Sequence, residues 1–413
     1  MINVDISNVW TCLSLPELLG CEQQVFDAHN RLWNGEEDGP DFMRWLQIPA
    51  AAEKRLLQRV REVAGIVCDQ SELLLVCGSG GTYHGAKAAV EALGTGGPQI
   101  LFVGQSLSSR QAAELSDLLR EKDYSLLIVS HDGKDVAVNV TVRSLRWMME
   151  RKYGDEAKSR IYAATTVGSA LHTMAQEEGY ELFPLPKQLG GSHTTLTPGA
   201  LVPMAAAGID PEAVMAGAAQ AGELLELRAF ENPAWLYAAV QHAMTGKGRD
   251  RELLCLTDPC LQGVGQWLQR QNLRQGGSLS VQTVLLPGDL EAMDSVAACG
   301  APVFETVLRF EQTGRRIPVE MDWKYYDGLG ALYGKNLEDV DEALLRAMIE
   351  SHNSAGIPIV EIGCGPRCAE SFGAMVRFFE LSAALTGCLQ GHAPFAVPET
   401  AAGEAALEKL IGM

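Results

Sequence analysis

A short segment near residue 80 most constrains the fold, because an apolar run meets a cluster of glycines and then a helix-forming run. Residues 73–77 are Leu-Leu-Leu-Val-Cys, residues 78–85 are Gly-Ser-Gly-Gly-Thr-Tyr-His-Gly, and residues 86–93 are rich in alanine. This order predicts the strand–loop–helix unit of an open α/β sheet, where ligands bind at the carboxyl ends of the strands. An anion site at the helix N-terminus is one interpretation, and a tight turn without a ligand is the other.

The glycine loop departs from two nucleotide-binding motifs. No Gly-Lys-Ser/Thr follows it, as a P-loop requires. Gly78, Gly80, Gly81 and Gly85 do not keep the register of the dinucleotide motif Gly-x-Gly-x-x-Gly. The loop by itself therefore identifies no ligand.

Composition limits the class of protein and its partners. The chain has 413 residues, of which 47% are hydrophobic, so it can build about two to three domain cores. A net charge of −19 argues against nucleic acid and against an anionic membrane surface as partners. The first residues lack the features of an export signal, and no apolar run approaches the roughly 20 residues of a membrane span. We therefore expect a cytoplasmic protein that binds neither nucleic acid nor membrane.

The cysteines predict neither a metal site nor disulfide bonds. Ten cysteines are scattered along the chain, and the pair Cys364 and Cys368 has no second pair or matching histidines. Without an export signal, reduced thiols are the default state. We expect no metal.

Strand-like and helix-like segments alternate, which is the pattern of βαβ units and a parallel sheet. The apolar runs predict strands at 73–77, 100–103, 125–129, 160–164, 252–256, 281–286, 303–310 and 357–362. Helical patterns cover residues 109–122, 139–153, 211–227, 235–244, 261–274, 337–353 and 368–385. Two α/β layers joined around residues 195–210 are the simplest arrangement, and residues 1–70 are expected to be mostly helical.

Short sequence motifs are spread over the whole chain. They lie at residues 28–35, 41–45, 78–85, 152–154, 160–163, 178–181, 190–191, 231–234, 304–308 and 387–395. Together they resemble the glucose-6-phosphate isomerase family in its bacterial form, whose glycine loop reads Gly-x-Gly-Gly-Ser-Tyr-Leu-Gly. Because the matching segments extend to residue 395, the chain is identified as a member of that family over its full length.

The resemblance implies a fold of class α/β with two sugar-isomerase (SIS) domains, each a parallel-sheet αβα sandwich, and helical terminal segments. The implied division is an N-terminal segment at 1–50 packed on the second domain, a first SIS domain at 51–195 and a second at 196–413. The family interconverts glucose 6-phosphate and fructose 6-phosphate in glycolysis and gluconeogenesis, through an enediol and without a metal or organic cofactor. A sugar or sugar phosphate is the implied partner, and a homodimer the implied assembly.

The resemblance also places three catalytic roles on this chain. His352, in the segment 351–358, matches the family's His-x-x-x-Gly-x-Pro and is implied as the ring-opening acid, with a retained structural histidine as the alternative. The family's glutamate base falls on Arg274, and its catalytic lysine falls on Glu404. An arginine does not accept a proton at pH 7. We hypothesise that Arg274 and Glu404 form an ion pair across the pocket.

Substrate contacts are implied at three loops, two of which have changed. The family's phosphate loop, Ser-Gly-Thr-Thr-Thr-Glu, is Ser-His-Asp-Gly-Lys-Asp at 130–135, and its Gly-Gly-Arg is Gly-Gly-Ser at 190–192. Two carboxylates therefore stand where a phosphate would bind. They suit hydrogen bonds to an uncharged polyol or pairing to a cation, and a surface turn without a ligand is the other interpretation. The implied substrate-binding residues are Gly78, Gly80, Gly81, Thr82, Ser130, Asp132, Gly133, Lys134, Asp135, Gly191 and Ser192.

Three functions stay open on this evidence. The first is a glucose-6-phosphate isomerase-like enzyme, with weakened activity because removal of a general base costs about 10²–10⁴ in rate. The second is a catalytically inactive sugar-binding or regulatory homologue. The third is an isomerase for a different sugar, including an unphosphorylated one.

Overall fold

A computed structural model describes residues 2–35, 54–187, 193–274, 278–321, 327–392 and 409–410, with Arg274 described by its backbone alone. The described strands form two five-stranded sheets. In chain order the strands are β1 (Asn3–Asn8), β2 (Leu73–Gly78), β3 (Gln99–Val103), β4 (Tyr124–Val129), β5 (Ile161–Thr166), β6 (Glu181–Leu185), β7 (Arg251–Leu256), β8 (Ser280–Leu285), β9 (Val303–Arg309) and β10 (Ile359–Gly363). The predicted α/β class is therefore confirmed.

The described α-helices cover the sheets. In chain order they are α1 (Leu15–Gly20), α2 (Glu22–Asn34), α3 (Lys54–Gln70), α4 (Gly80–Leu93), α5 (Ser109–Glu121), α6 (Val136–Tyr153), α7 (Ala170–Glu178), α8 (Pro198–Ala206), α9 (Pro211–Leu225), α10 (Pro233–Gly246), α11 (Gln262–Arg274), α12 (Leu290–Ala298), α13 (Leu337–Ser354) and α14 (Ala369–Leu389). Each predicted strand and helix is present with slightly different ends, whereas β1, β6, α7, α8 and α12 were missed.

The first sheet is parallel throughout and has the order β3-β2-β4-β5-β6. Every residue of β2, β4 and β5 is buried. Helices cover both faces of a parallel sheet, so its central strands are apolar throughout and do not alternate. This is why continuous apolar runs predicted these strands correctly.

The second sheet has the order β1-β10-β9-β7-β8, and β1 is its antiparallel edge strand. The expectation of a mostly helical N-terminal region is wrong for this segment. Asn3–Asn8 alternates exposed and half-buried residues, and Val4 and Ile6 pack against the core. That period of two is the pattern of a strand with one covered face.

The segment between the two sheets is also more ordered than a simple junction. Helix α8 lies within the predicted connection at 195–210, begins at Pro198 and packs on α3, α4 and β6. Proline suits the first helical turn, where its missing N–H leaves no bond unmade. The implied domain boundary at residue 195 stays a prediction, and α8 beside it covers the first sheet.

Two helices, α4 and α11, hold the two sheets together. They pack with their chains in opposite directions: Gly263 lies against Ala88, where an added Cβ would be 3.0 Å from the Ala88 Cα, and Lys87 Nζ contacts Gln266 Oε1 at 3.2 Å. Because glycine has no side chain, the helices approach each other closely at Gly263. The N-terminus of α4 therefore meets the C-terminal end of α11.

The helix α14 is the one described helix that has the length and apolar character to cross a membrane. Of its most apolar window, 89% is buried inside the protein. A core helix of a folded domain passes the same test, so the feature is weak evidence for a membrane span.

Reciprocal glycines allow α9 and α14 to touch backbone to backbone. A Cβ at Gly373 would overlap the carbonyl oxygen of Val214, and a Cβ at Gly217 would overlap that of Glu370. Because the obstructing atoms are backbone, the neighbours cannot move aside by a change of rotamer. The close approach therefore depends on both glycines.

We expect Gly373→Ala to lower the free energy of unfolding by at least about 2 kcal/mol, because the helices would have to move apart. Gly222→Ala on α9 is the matched control, since a Cβ there meets no atom within 4 Å. The control should be neutral or stabilising by up to about 1 kcal/mol, as alanine favours helices. Equal effects of both substitutions in urea unfolding would contradict the packing argument.

Candidate functional site

A cavity lies at the carboxyl edge of the first sheet, between the segments that follow β2 and β4. In the order β3-β2-β4-β5-β6 the chain reverses direction across the sheet at this pair of strands. Ligands of open α/β sheets bind at such a switch point. The cavity has a volume of about 280 Å³ and is lined by Ser79, Gly80, Gly81, His84, Gln105, Asp135, Trp267, Arg270, Gln271 and Leu273.

The glycine loop forms one wall because its backbone turns sharply from β2 into α4. Gly78 ends β2, and a Cβ there would overlap the carbonyl oxygen of Val129. Ser79 is the N-cap in an extended conformation, and Gly80 has a φ of 81°, in the left-handed region that favours glycine. The first N–H groups and the positive end of α4 therefore border the cavity, which suits an anion.

Two side chains of the 130–135 loop accept hydrogen bonds from the loop's own backbone. Ser130 Oγ accepts from the Gly133 N–H at 3.1 Å, and Asp132 Oδ1 accepts from the Lys134 N–H at 3.0 Å. Asp135 is the N-cap of α6, where its Oδ1 accepts from the Val138 N–H at 3.1 Å. Of the residues implied to bind substrate in this loop, Asp135 is the one that lines the cavity.

Thr82 does not contribute its hydroxyl to the cavity. The side chain is buried, and its Oγ1 is bonded to Thr194 Oγ1 at 2.8 Å. A threonine two residues inside α4 points away from the loop that precedes the helix. Thr82 therefore ties the glycine loop to the segment before α8.

The opposite wall comes from the last turns of α11, where Trp267, Arg270 and Gln271 share one face. Trp267 is 2% exposed and Gln271 is 4% exposed. Within the described parts of the chain, Trp267 Nε1 and both amide atoms of Gln271 have no hydrogen-bond partner. Buried polar groups without partners are costly, and water does not reach these three atoms, so they lie behind the cavity surface that the two residues help to form.

His84 is a cavity residue that the sequence interpretation missed. It lies on α4 one turn after Gly80, half-buried, with its ring edge-on to Tyr83 at a centroid distance of 4.9 Å. The sequence contains a signal for this position, because His84 is four residues after Gly80 and residues four apart on a helix share a face. Arg270 on α11 is likewise four residues before Arg274.

His352, the predicted ring-opening acid, does not line this cavity. It lies in the core near the end of α13, where Nδ1 contacts Glu305 Oε1 at 2.9 Å and Nε2 contacts Asp294 Oδ1 at 2.9 Å. Glu305 is the third residue of β9, toward the amino end of that strand. The structure therefore gives His352 a position between two carboxylates in the second sheet's core.

Several predicted site residues lie outside the described residues. They are Gly191, Ser192, Glu404 and the side chain of Arg274. The hypothesis of an Arg274–Glu404 ion pair therefore stays a prediction. The backbone of Arg274 ends α11, the helix that forms the second wall.

Metal ligands are not grouped in the part of the chain that the structure describes. No set of three or more His, Cys, Asp or Glu side chains there is arranged to hold a metal ion. The cavity offers imidazole, guanidinium, carboxylate, amide and backbone N–H groups instead.

Comparison with known proteins agrees with this architecture. The chain is 32% identical to a glucose-6-phosphate isomerase of Bacillus cytotoxicus, covering 100% of this chain and 96% of that protein. It is 34% identical to a glucose-6-phosphate isomerase of Staphylococcus saprophyticus, covering 94% and 91%. No family model matches the chain.

Two solved structures share the fold. A hypothetical protein from Thermus thermophilus has a TM-score of 0.90 at 20% identity, with 100% of both chains covered. A glucose-6-phosphate isomerase from Chlamydia trachomatis has a TM-score of 0.71 at 16% identity, covering 87% of this chain and 73% of that one.

The two sheets and the cavity at the strand-order switch define an α/β protein with a ligand site of the kind found in open sheets. The sequence identities of 32% and 34% to the two curated relatives extend over 94% or more of this chain and identify its family. The chain belongs to the glucose-6-phosphate isomerase family.

We expect His352→Gln to lower the free energy of unfolding by about 3 kcal/mol near pH 6, because Glu305 would stay buried without its cationic partner. Glu305, and then Asp294, raise the pKa of His352 above its ordinary value. Such a group stabilises the fold below its unfolded-state pKa, and the stabilisation is lost as the pH rises through the folded-state pKa.

Urea unfolding near pH 6 and near pH 9 measures this dependence. The difference between the original protein and His352→Gln should be smaller at the higher pH. His172→Gln, at a half-buried histidine of α7, is the control and should show little dependence. A difference that grows as the pH rises would contradict the assignment.

Proposed function

We propose that this protein binds a phosphorylated hexose in the cavity at the glycine loop and interconverts its aldose and ketose forms, at a rate below that of its relatives. The relatives that are similar over the full length are named glucose-6-phosphate isomerases. The observation that supports sugar binding is the polar lining of the cavity, which includes His84, Gln105, Asp135 and Arg270. Sugar hydroxyls both donate and accept hydrogen bonds, so one ligand can bond a carboxylate, an amide and a guanidinium together.

The phosphate has a matching place at the first wall. The N-terminus of α4 presents N–H groups and a positive dipole end, and Arg270 adds a full positive charge at the second wall. These local charges oppose the net charge of −19. The weakened rate follows from Arg274, which occupies the position of the family's glutamate base and does not accept a proton.

A homodimer and a cytoplasmic location, both implied by the family, are also proposed. Light scattering of the purified protein at several concentrations tests the assembly. A mass of one chain, 44.5 kDa, at every concentration would exclude the dimer.

We expect Gln271→Leu to leave the thermal stability equal or to raise it, because it removes two buried polar atoms that have no protein partner among the described residues and keeps the size of the side chain. Thermal unfolding of both proteins gives the two values. Calorimetric titration with fructose 6-phosphate measures sugar binding by the unaltered protein.

The control is Gln241→Leu on α10. Gln241 is equally buried, but its amide bonds to Glu252 and Thr386, so its replacement should lower stability. A coupled assay with fructose 6-phosphate then measures turnover by the unaltered protein. Absence of both binding and turnover would overturn the proposed function.

An unphosphorylated sugar is the second candidate substrate, and Asp135 is the observation that favours it. Asp135 lines the cavity and is the last residue of the 130–135 loop, whose counterpart holds phosphate in the family. A carboxylate repels a phosphate dianion, whereas it accepts hydrogen bonds from sugar hydroxyls.

Asp135→Asn separates the two substrates. Asparagine is an equally good N-cap, so α6 should keep its stability. Loss of one negative charge should tighten fructose 6-phosphate binding severalfold and weaken fructose binding. Titrations of both sugars against the unaltered and substituted proteins provide the test. Tighter binding of fructose than of fructose 6-phosphate by the unaltered protein would favour the second candidate.

A further inference from the structure

We propose that His84 is the general base of the isomerisation, in place of the glutamate that this chain lacks, and that Arg270 stabilises the enediolate. The inference rests on the proposed function of the same cavity. It assigns the proton transfer to the wall formed by α4 and the charge stabilisation to the wall formed by α11.

The packing of the two helices brings these residues to the same cavity. Lys87 Nζ and Gln266 Oε1 are 3.2 Å apart and mark a level at which α4 and α11 touch. Because the helices run in opposite directions, about one turn back along α4 reaches His84 and one turn forward along α11 reaches Arg270. Both residues line the 280 Å³ cavity, which is small enough that a hexose contacts both walls.

Among the described residues, the ionisable side chains that line the cavity are His84, Arg270 and Asp135. Guanidinium groups stay protonated and cannot act as a base. One oxygen of Asp135 is engaged as the N-cap of α6. An imidazole is most effective in proton transfer near neutral pH, because it exchanges protons readily there.

The reaction balances with these groups alone. In the open-chain aldose the C2–H bond breaks and its proton goes to His84, while that electron pair forms the C1–C2 double bond. The π pair of the C1 carbonyl moves to O1, whose negative charge faces Arg270. O1 then gains a proton as O2–H loses one, the C2–O2 double bond forms, and C1 takes the proton from the imidazolium.

The position of Arg270 fits the charge that develops. The enediolate carries its negative charge at O1, and a cation beside it is stabilising in the transition state more than in the ground state.

The test compares His84→Gln with His172→Gln in the coupled assay and in deuterated water. The former should lose about 100-fold or more in kcat and stop incorporating deuterium at C1 of fructose 6-phosphate, with its Kd for that sugar within a few-fold. The control, a half-buried histidine that does not line the cavity, should keep both activities.

Chemical rescue distinguishes a base from a packing role. In His84→Ala, added imidazole should restore turnover in proportion to its concentration. Full turnover by His84→Gln would overturn the inference and leave the proposed function standing. No turnover by the unaltered protein, together with no sugar binding, would overturn the proposed function and the inference with it.

Discussion

The contact between α4 and α11 is the interaction on which the candidate site depends. Helix α4 follows β2 of the first sheet, and helix α11 follows β7 of the second sheet. Gly263 on α11 has no side chain, so the two helices approach closely. The antiparallel packing sets the N-terminus of α4 against the last turns of α11. A helix N-terminus and a guanidinium, which attract anions, therefore face the same cavity.

The family scaffold is retained, and the resemblance implies that several side chains carrying its chemistry have changed. By that resemblance, Arg274 and Glu404 reverse the charge at two positions of the family's catalytic set, and Asp132 and Asp135 bring negative charge to its phosphate loop. The fold tolerates these changes because sheet and helix packing depends on β2, β4 and the helix-crossing glycines, none of which has to perform chemistry. Conservation of architecture with altered chemistry is consistent with function residing in sites grafted on a fold.

Elements of the first sheet could be predicted from the sequence because each local pattern there has one structural outcome. The apolar runs of β2 and β4 and the glycines after residue 77 predicted the parallel sheet and the turn into α4. The roles of single residues could not be predicted where they depend on a partner distant in sequence. His352 lies between Glu305 and Asp294, and Thr82 is turned to Thr194, although the motifs around both implied the substrate pocket.

The sequence by itself determined the α/β class, the family and the glycine turn, because period, composition and backbone conformation are local properties. Only the tertiary structure decided which side chains share the cavity. His84 and Gln271 are 187 residues apart in the chain. They line the same cavity because α4 and α11 pack together there. Such a meeting depends on the packing of two whole helices, which no local pattern encodes.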